Sequence, residues 1–360
     1  MARAARGLSV ALVAQERRAP GAPQGRGFDP RVYAISPANM AFLRTLERLP
    51  EERVTPVYAM SVFGDAGSHL EFDAYRAGVP ALAWIVEDSV LQDALWHGLE
   101  PQVARCEYIV IDEARALLRL ADGRELTARL IVGADGAHSF VRAQAGIGAS
   151  EKAYGQTALV ANFACERPHG NVAYQWFQGG PVLALLPLPS DHVSMVWSLP
   201  GEEAQRIEAL DPQALCAEVE AAARGKLGQL GLVTPPRSYA LRRVAARRMV
   251  QPRIALLGDA AHVIHPLAGQ GLNLGLQDVR ALAQVLEARE AVRDVGNIRL
   301  LRRYERSRAE PILAMDAMVD GLHRLFGAQG AVAARLRNSG LNLADRLPVL
   351  KNILIRQAMN

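Results

Sequence analysis

Apolar and polar positions alternate with a period of two along much of this chain, and helical spacing takes over only in separate blocks. A short apolar run at 9–13, just after Gly7 as a helix stop, reads as a buried strand, and the Pro- and Gly-rich 19–30 reads as a loop. Residues 54–63 and 70–75 alternate like strands around the Gly64–Gly67 turn, with 81–86 continuing the sheet. Residues 107–112, 116–120 and 125–128 predict an antiparallel meander with Asp122-Gly123 as a hairpin turn. A second β-prone block covers 158–165, 172–177, 182–187 and 193–199, with a turn at Pro189-Ser190-Asp191. There the period of two puts Tyr174 and Trp176 on one face and Gln175 and Phe177 on the other. Helical spacing predicts helices over 37–49 (apolar Met40, Leu43 and Leu46), 87–98, 202–230, 298–308 and 312–326. A last apolar stripe, Leu350, Ile353 and Leu354, marks the tail.

Two stretches break this routine in the same way. In 130–142, LIVGADGAHSFVR, an apolar strand runs into Gly133-Ala134-Asp135-Gly136, and a helix opens near Ser139. In 253–284 an apolar strand ends on Gly258-Asp259, a loop carries Pro266, Gly269, Gln270 and Gly271, and a long helix starts near Leu272. A strand that ends in a polar turn before a helix start is a ligand-facing geometry, because free N–H groups and the positive helix end point at one spot. Glycines there let the backbone approach a flat ligand, and a strand-end carboxylate accepts hydrogen bonds from hydroxyls. Asp135 has the further reading of a helix cap.

Composition narrows the choice. The chain has 360 residues, half of them hydrophobic, which suits two domains or one composite domain with a sizeable core. Its net charge is +4, carried almost wholly by arginine, yet no basic block is interleaved with aromatics as a nucleic-acid surface requires. Three widely spaced cysteines offer neither zinc spacing nor a disulfide framework and fit a reducing cytoplasm. No apolar run reaches the roughly 18 residues of a membrane span.

The run GDAAHVIHPLAGQGLNLGLQD resembles the second flavin motif of the FAD-dependent aromatic-ring hydroxylases, the family of para-hydroxybenzoate hydroxylase, and is most similar to the ubiquinone-biosynthesis hydroxylases. LIVGADGAHSFVR resembles the DG motif of that family, which helps hold the flavin and is linked to the reduced nicotinamide cofactor. The resemblance covers nearly all of the chain from Gly7 onward. It implies an α/β fold: a dinucleotide-type FAD-binding domain from 1–50, 86–150 and 246–290, an inserted antiparallel substrate sheet from 51–85 and 151–245, and C-terminal helices over 291–360. It implies a monooxygenase that uses FAD, NAD(P)H and dioxygen to hydroxylate a phenolic or polyprenyl quinol ring. It assigns cofactor binding to Asp135, Gly136, Gly258, Asp259, Pro266, Gly269, Gln270, Gly271 and Asn273. Arg31, in a D-x-R segment, suits flavin or phosphate contact as well as an ion pair with Asp29. Gln92 matches a flavin-contacting glutamine of the family. No catalytic acid or base stands out: His262 and His265 have no partner recognisable in sequence. The tail suits either packing on the core or contact with a membrane surface or sister enzymes of ubiquinone biosynthesis, and the expected location is the cytoplasm.

The family pattern also has a first strand and a G-x-G-x-x-G turn, which holds the pyrophosphate on a helix N-terminus. These 360 residues contain no such turn, and Glu16 is the only acidic residue near the end of the 9–13 strand. The expectations are therefore two: a start placed downstream of the true one, or a truncated, non-catalytic or weakly flavin-binding member of a quinone-biosynthesis assembly. The two strand-end aspartates are expected to open on one crevice, from strands in one sheet beside the 9–13 strand.

Overall fold

The structure is a computed structural model and describes residues 7–16, 27–47, 49–64, 67–264 and 271–327. The first strands are β1 (Val13–Ala14), β2 (Val32–Ile35), β3 (Val54–Val57), β4 (Ala59–Phe63), β5 (His69–Asp73), β6 (Ala83–Glu87) and β7 (Gln102–Val103). Next come β8 (Cys106–Ile111), β9 (Ala116–Leu120), β10 (Glu125–Ala128), β11 (Ile131–Gly133), β12 (Ala149–Cys165), β13 (Val172–Phe177), β14 (Val182–Leu188) and β15 (His192–Pro200). The last are β16 (Leu230–Leu232), β17 (Arg237–Ala246), β18 (Val250–Gln251), β19 (Ile254–Leu256) and β20 (His262–Val263). The helices are α1 (Pro37–Leu46), α2 (Ala74–Ala77), α3 (Asp88–Trp96), α4 (Phe140–Gln144), α5 (Gly201–Glu208), α6 (Pro212–Ala222), α7 (Gly271–Glu287) and α8 (Ile298–Gly327). The fold is mixed α/β, and the chain divides into two compact units.

The first unit comprises Met1–Pro20, Trp96–Tyr154 and Arg242–Val319. Within it β11 and β19 pair in parallel, Gly133 opposite Leu256, so two chain segments far apart in sequence end at the same sheet edge. β8, β9 and β10 form the expected meander. α4, α7 and α8 pack onto β11 and β19 through Val141, Leu282, Leu286, Leu300, Leu301 and Tyr304. The strand expected over 9–13 forms only at Val13–Ala14 and pairs in parallel with β7; among the described residues it does not join β11 and β19. α8 is one helix where two were expected. Pro311 lacks the N–H of a helical hydrogen bond, but Tyr304 before it and Ile312 after it are packed into the same core and carry the helix through.

The second unit comprises Gly21–Leu95, Gly155–Leu241 and Asp320–Asn360. Its main sheet runs β12-β15-β14-β13-β4-β5, antiparallel except for the parallel β13–β4 pair. α5 and α6 cover one face, where Tyr174, Trp176, Leu183, Leu185, Met195 and Trp197 are buried. Gln175 and Phe177 therefore belong to the opposite face. The predicted 54–63 strand is two strands: at Tyr58 the chain turns, and β3 joins β6 and β2 while β4 joins β5 and β13. Pro56 sits in β3, an edge strand, where a missing N–H costs no ladder bond. The 81–86 run, as β6, belongs to this smaller sheet and does not continue the β4–β5 pair. The 202–230 helix is also two helices. Asp211 caps the second, accepting from Gln213 and Ala214 N–H at 2.9 Å, ahead of Pro212. Leu230 starts β16 against β12.

Candidate cofactor site

The register of β11 on β19 places Asp135 and Asp259 just past the same ends of adjacent parallel strands, both exposed, as the sequence predicted. The Asp135 turn is held by its own helix. The Asp135 carboxylate accepts from Ser139 Oγ at 2.5 Å and from Val141 N–H at 3.0 Å, while Ser139 caps α4 by accepting from Arg142 N–H at 2.9 Å. Gly136 has φ +81°, which a glycine adopts without strain. Gly133 is needed for contact: a Cβ there would lie 2.8 Å from Val141 Cβ and 2.9 Å from Leu256 Cδ2.

The Asp259 turn is held from a distance. Gly258 has φ +54°, and its N–H donates to Asp278 Oδ2 at 2.9 Å. The same oxygen takes His262 Nε2 at 2.7 Å, and Asp278 Oδ1 takes Arg308 Nε at 2.6 Å. Arg308 also donates to Gln277 Oε1 at 3.1 Å. Asp278 and Arg308 are buried. The α7 backbone comes close enough that a Cβ on Gly275 would touch Gly258 Cα at 3.4 Å. Tyr304 donates its phenol to Leu256 O at 2.8 Å, and burial, with Asp278 nearby, holds that phenol well above its usual range.

Arg142 joins the two turns. Its buried guanidinium donates to Ala260 O at 2.8 Å and to Ala137 O at 2.7 Å, one carbonyl from each loop. Two parallel strand ends, two exposed carboxylates, two glycines with positive φ and a shared arginine clasp form a polar cradle. It suits a ligand with several hydroxyls that must be approached closely by backbone.

The other expected site residues fall as follows. Gly271 and Asn273 open α7, with Asn273 buried. Pro266, Gly269, Gln270 and His265 lie outside the described residues. Arg31 is exposed, and its guanidinium lies over the Tyr33 ring at 5.4 Å and the Tyr239 ring at 5.7 Å. Asp29 uses its carboxylate on the N–H groups of Arg31 (2.9 Å) and Ser89 (3.1 Å). The Asp29 N–H in turn donates to Glu87 Oε2 at 2.6 Å. Glu87 is buried against Arg53. Burial raises its pKa, against the lowering by the Asp29 N–H and by Arg53. Gln92 donates to both oxygens of Asp88, at 2.6 and 2.7 Å, one turn away on α3. His262, which has no partner recognisable from the linear sequence, pairs with Asp278. Asp278 and Arg308 went unrecognised as site residues, although Gly275 and Asp278 share one face of α7 and Asp278 interrupts its apolar stripe.

The FAD binding domain family matches residues 112–317, which span both turns, α7 and most of α8. The 3-demethoxyubiquinol 3-hydroxylase of Escherichia coli (strain K12) is 34% identical over 98% of this chain and 93% of its own length. The chain belongs to the FAD-dependent aromatic-ring hydroxylase family. The ubiquinone hydroxylase UbiL of Rhodospirillum rubrum is 36% identical over 99% of this chain and 85% of its own length. The fold is shared with solved flavoprotein structures. PqsL from Pseudomonas aeruginosa, a probable FAD-dependent monooxygenase, superposes with a TM-score of 0.75 at 24% identity over 94% of each chain. HpxO from Klebsiella pneumoniae, complexed with FAD and uric acid, superposes with a TM-score of 0.71 at 17% identity over 91% of this chain and 87% of its own. Among the described residues no three His, Cys, Asp or Glu side chains form a metal-binding group, and no helix is long and apolar enough to cross a membrane.

Proposed function

We propose that this chain is an FAD-dependent monooxygenase of ubiquinone biosynthesis that places one hydroxyl on a phenolic or quinol ring, with NAD(P)H as reductant and dioxygen as oxygen source. The observation that carries the reading is the parallel β11–β19 pair, which brings Asp135 and Asp259 to one sheet edge in a chain 34% identical to a demethoxyubiquinol hydroxylase. The donor set fits the riboflavin half of FAD. Asp259 would accept hydrogen bonds from ribityl hydroxyls, Gly136 and Gly258 would allow close backbone approach, and the start of α7 at Gly271 would present N–H groups. The family resemblance further assigns Pro266, Gly269, Gln270, Arg31 and Gln92 to cofactor binding. Bound FAD supplies the two-electron redox chemistry and the activation of dioxygen; the protein supplies binding, orientation and exclusion of water. The relatives named as ubiquinone hydroxylases support a small quinol substrate. We assign the tail, as a separate part of the proposal, to contact with sister enzymes of the pathway or a membrane surface. The proposal keeps 1–50, 86–150 and 246–290 for the cofactor, 51–85 and 151–245 for the substrate, and 291–360 as a C-terminal helical segment.

The test is a turnover assay on the purified chain with FAD, NADH or NADPH, isotope-labelled dioxygen and a short-tailed ubiquinol precursor lacking one ring oxygen. The expected product carries one labelled oxygen on the ring. Flavin binding without any labelled product would remove the hydroxylase reading.

A further inference from the structure

We propose that Asp278 is a positioning residue that sets flavin affinity from behind the Asp259 turn, acting through its hydrogen bonds to His262 and to the Gly258 N–H. The inference rests on the reading that Asp259 faces the flavin. One oxygen, Asp278 Oδ2, receives two donors that bracket Asp259 in sequence: Gly258 N–H on one side at 2.9 Å and His262 Nε2 on the other at 2.7 Å. Both ends of the turn are thereby fixed to one point on α7, and the direction of the Asp259 side chain between them is set. The other oxygen is taken by Arg308 of α8 at 2.6 Å, which neutralises a carboxylate with no exposure to water. His262 also belongs to β20, paired with Ala245 of β17, so the clamp is anchored in a strand as well as in two helices.

Stability alone is a poor explanation of this arrangement. A buried ion pair seldom adds net stability over apolar side chains of the same shape, because the cost of desolvation offsets the attraction. It does supply direction: three donors on one carboxylate admit one geometry, and the turn they hold carries a cofactor-facing carboxylate. A hydrogen bond to a charged group is also the strong kind, so its loss reaches the turn directly.

The experiment titrates the full 360-residue chain with FAD, following quenching of flavin fluorescence, and compares the parent with His262→Leu and His262→Gln. Leucine removes the donor to Asp278, whereas the glutamine amide places an N–H donor near the position of imidazole Nε2. Urea unfolding of each flavin-free chain separates affinity from folding. The expected result is FAD binding weakened tenfold or more in His262→Leu, equivalent to about 1.4 kcal/mol. His262→Gln should stay within about threefold of the parent, with unfolding midpoints of the two variants close together. Equal FAD affinity in His262→Leu and the parent would overturn the proposal. A loss as large in His262→Gln as in His262→Leu would also overturn it, since the imidazole itself would then be what matters. A parent that takes up no FAD at any concentration sinks the functional reading, and the proposal with it.

Discussion

The two strand-end turns of the first unit do the same work with different supports. The Asp135 turn is self-sufficient: Ser139 and Val141, four and six residues on, satisfy its carboxylate, and the short α4 it caps packs back on the strand. The Asp259 turn depends on residues 20 and 50 positions away in sequence, Asp278 and Arg308, which reach it only after α7 and α8 have docked. A turn held by its own helix forms with local structure; a turn held by two later helices forms with the tertiary core. Arg142 ties the two together, so the cradle is complete only when both have formed.

The contrast can be broken most forcefully at Arg308. Arg308→Leu leaves the Asp278 carboxylate buried without its cation, and removing one partner of a buried pair costs about 3–5 kcal/mol. Urea denaturation should show that loss together with a loss of flavin binding. Gly133→Ala strikes the other turn by crowding, since the new methyl meets Val141 and Leu256 inside 3 Å. Overpacking of this kind costs about 1–3 kcal/mol, read as a lower thermal midpoint. Ser139→Ala removes the cap of α4 and the hydroxyl donor to Asp135, and should cost about 1 kcal/mol, with FAD affinity reduced less than in His262→Leu.

The smallest effect is expected in the second unit, outside both turns. Burial raises the Glu87 carboxyl above its ordinary pKa, despite the Asp29 N–H and Arg53. Between the ordinary and the raised pKa the folded state therefore binds more proton than the unfolded chain does. The stability contribution of Glu87 is present below the ordinary glutamate pKa and is lost as pH rises through the raised one. Glu87→Gln should flatten that decline in a series of unfolding curves across the acid range; an unchanged slope would remove Glu87 as its source.

What was legible in the sequence follows the same local-versus-distant line. The meander, the four β-strands from 158 to 199, and both strand–turn–helix motifs announce themselves by period, glycine and cap within a few residues, and all are present. The misread boundaries come from tertiary pairing. The 54–63 run breaks at Tyr58 because its halves join different sheets, and α8 runs through Pro311 because both sides are packed. The Asp135 and Asp259 positions were readable because each sits in a long ordered strand–turn–helix run, LIVGADGAHSFVR and GDAAHVIHPLAGQGLNLGLQD. The roles of Asp278, Arg308 and His262 were not, because a lone polar residue on an apolar helix face acquires meaning only from what it meets. Arg31 shows a similar limit: its own backbone N–H pairs with Asp29, while its side chain rests on Tyr33 and on Tyr239, more than two hundred residues away.

The central claim, that the two turns form one flavin cradle with Asp259 at its working edge, is tested most directly by the FAD affinity of Asp259→Ala. Asp259 is exposed at a strand end, so its loss should leave the urea midpoint of the flavin-free chain nearly unchanged. FAD binding should be abolished, or weakened by two or more powers of ten, on the order of two charge-assisted hydrogen bonds. An Asp259→Ala chain that binds FAD as tightly as the parent would place the cofactor elsewhere and contradict the account.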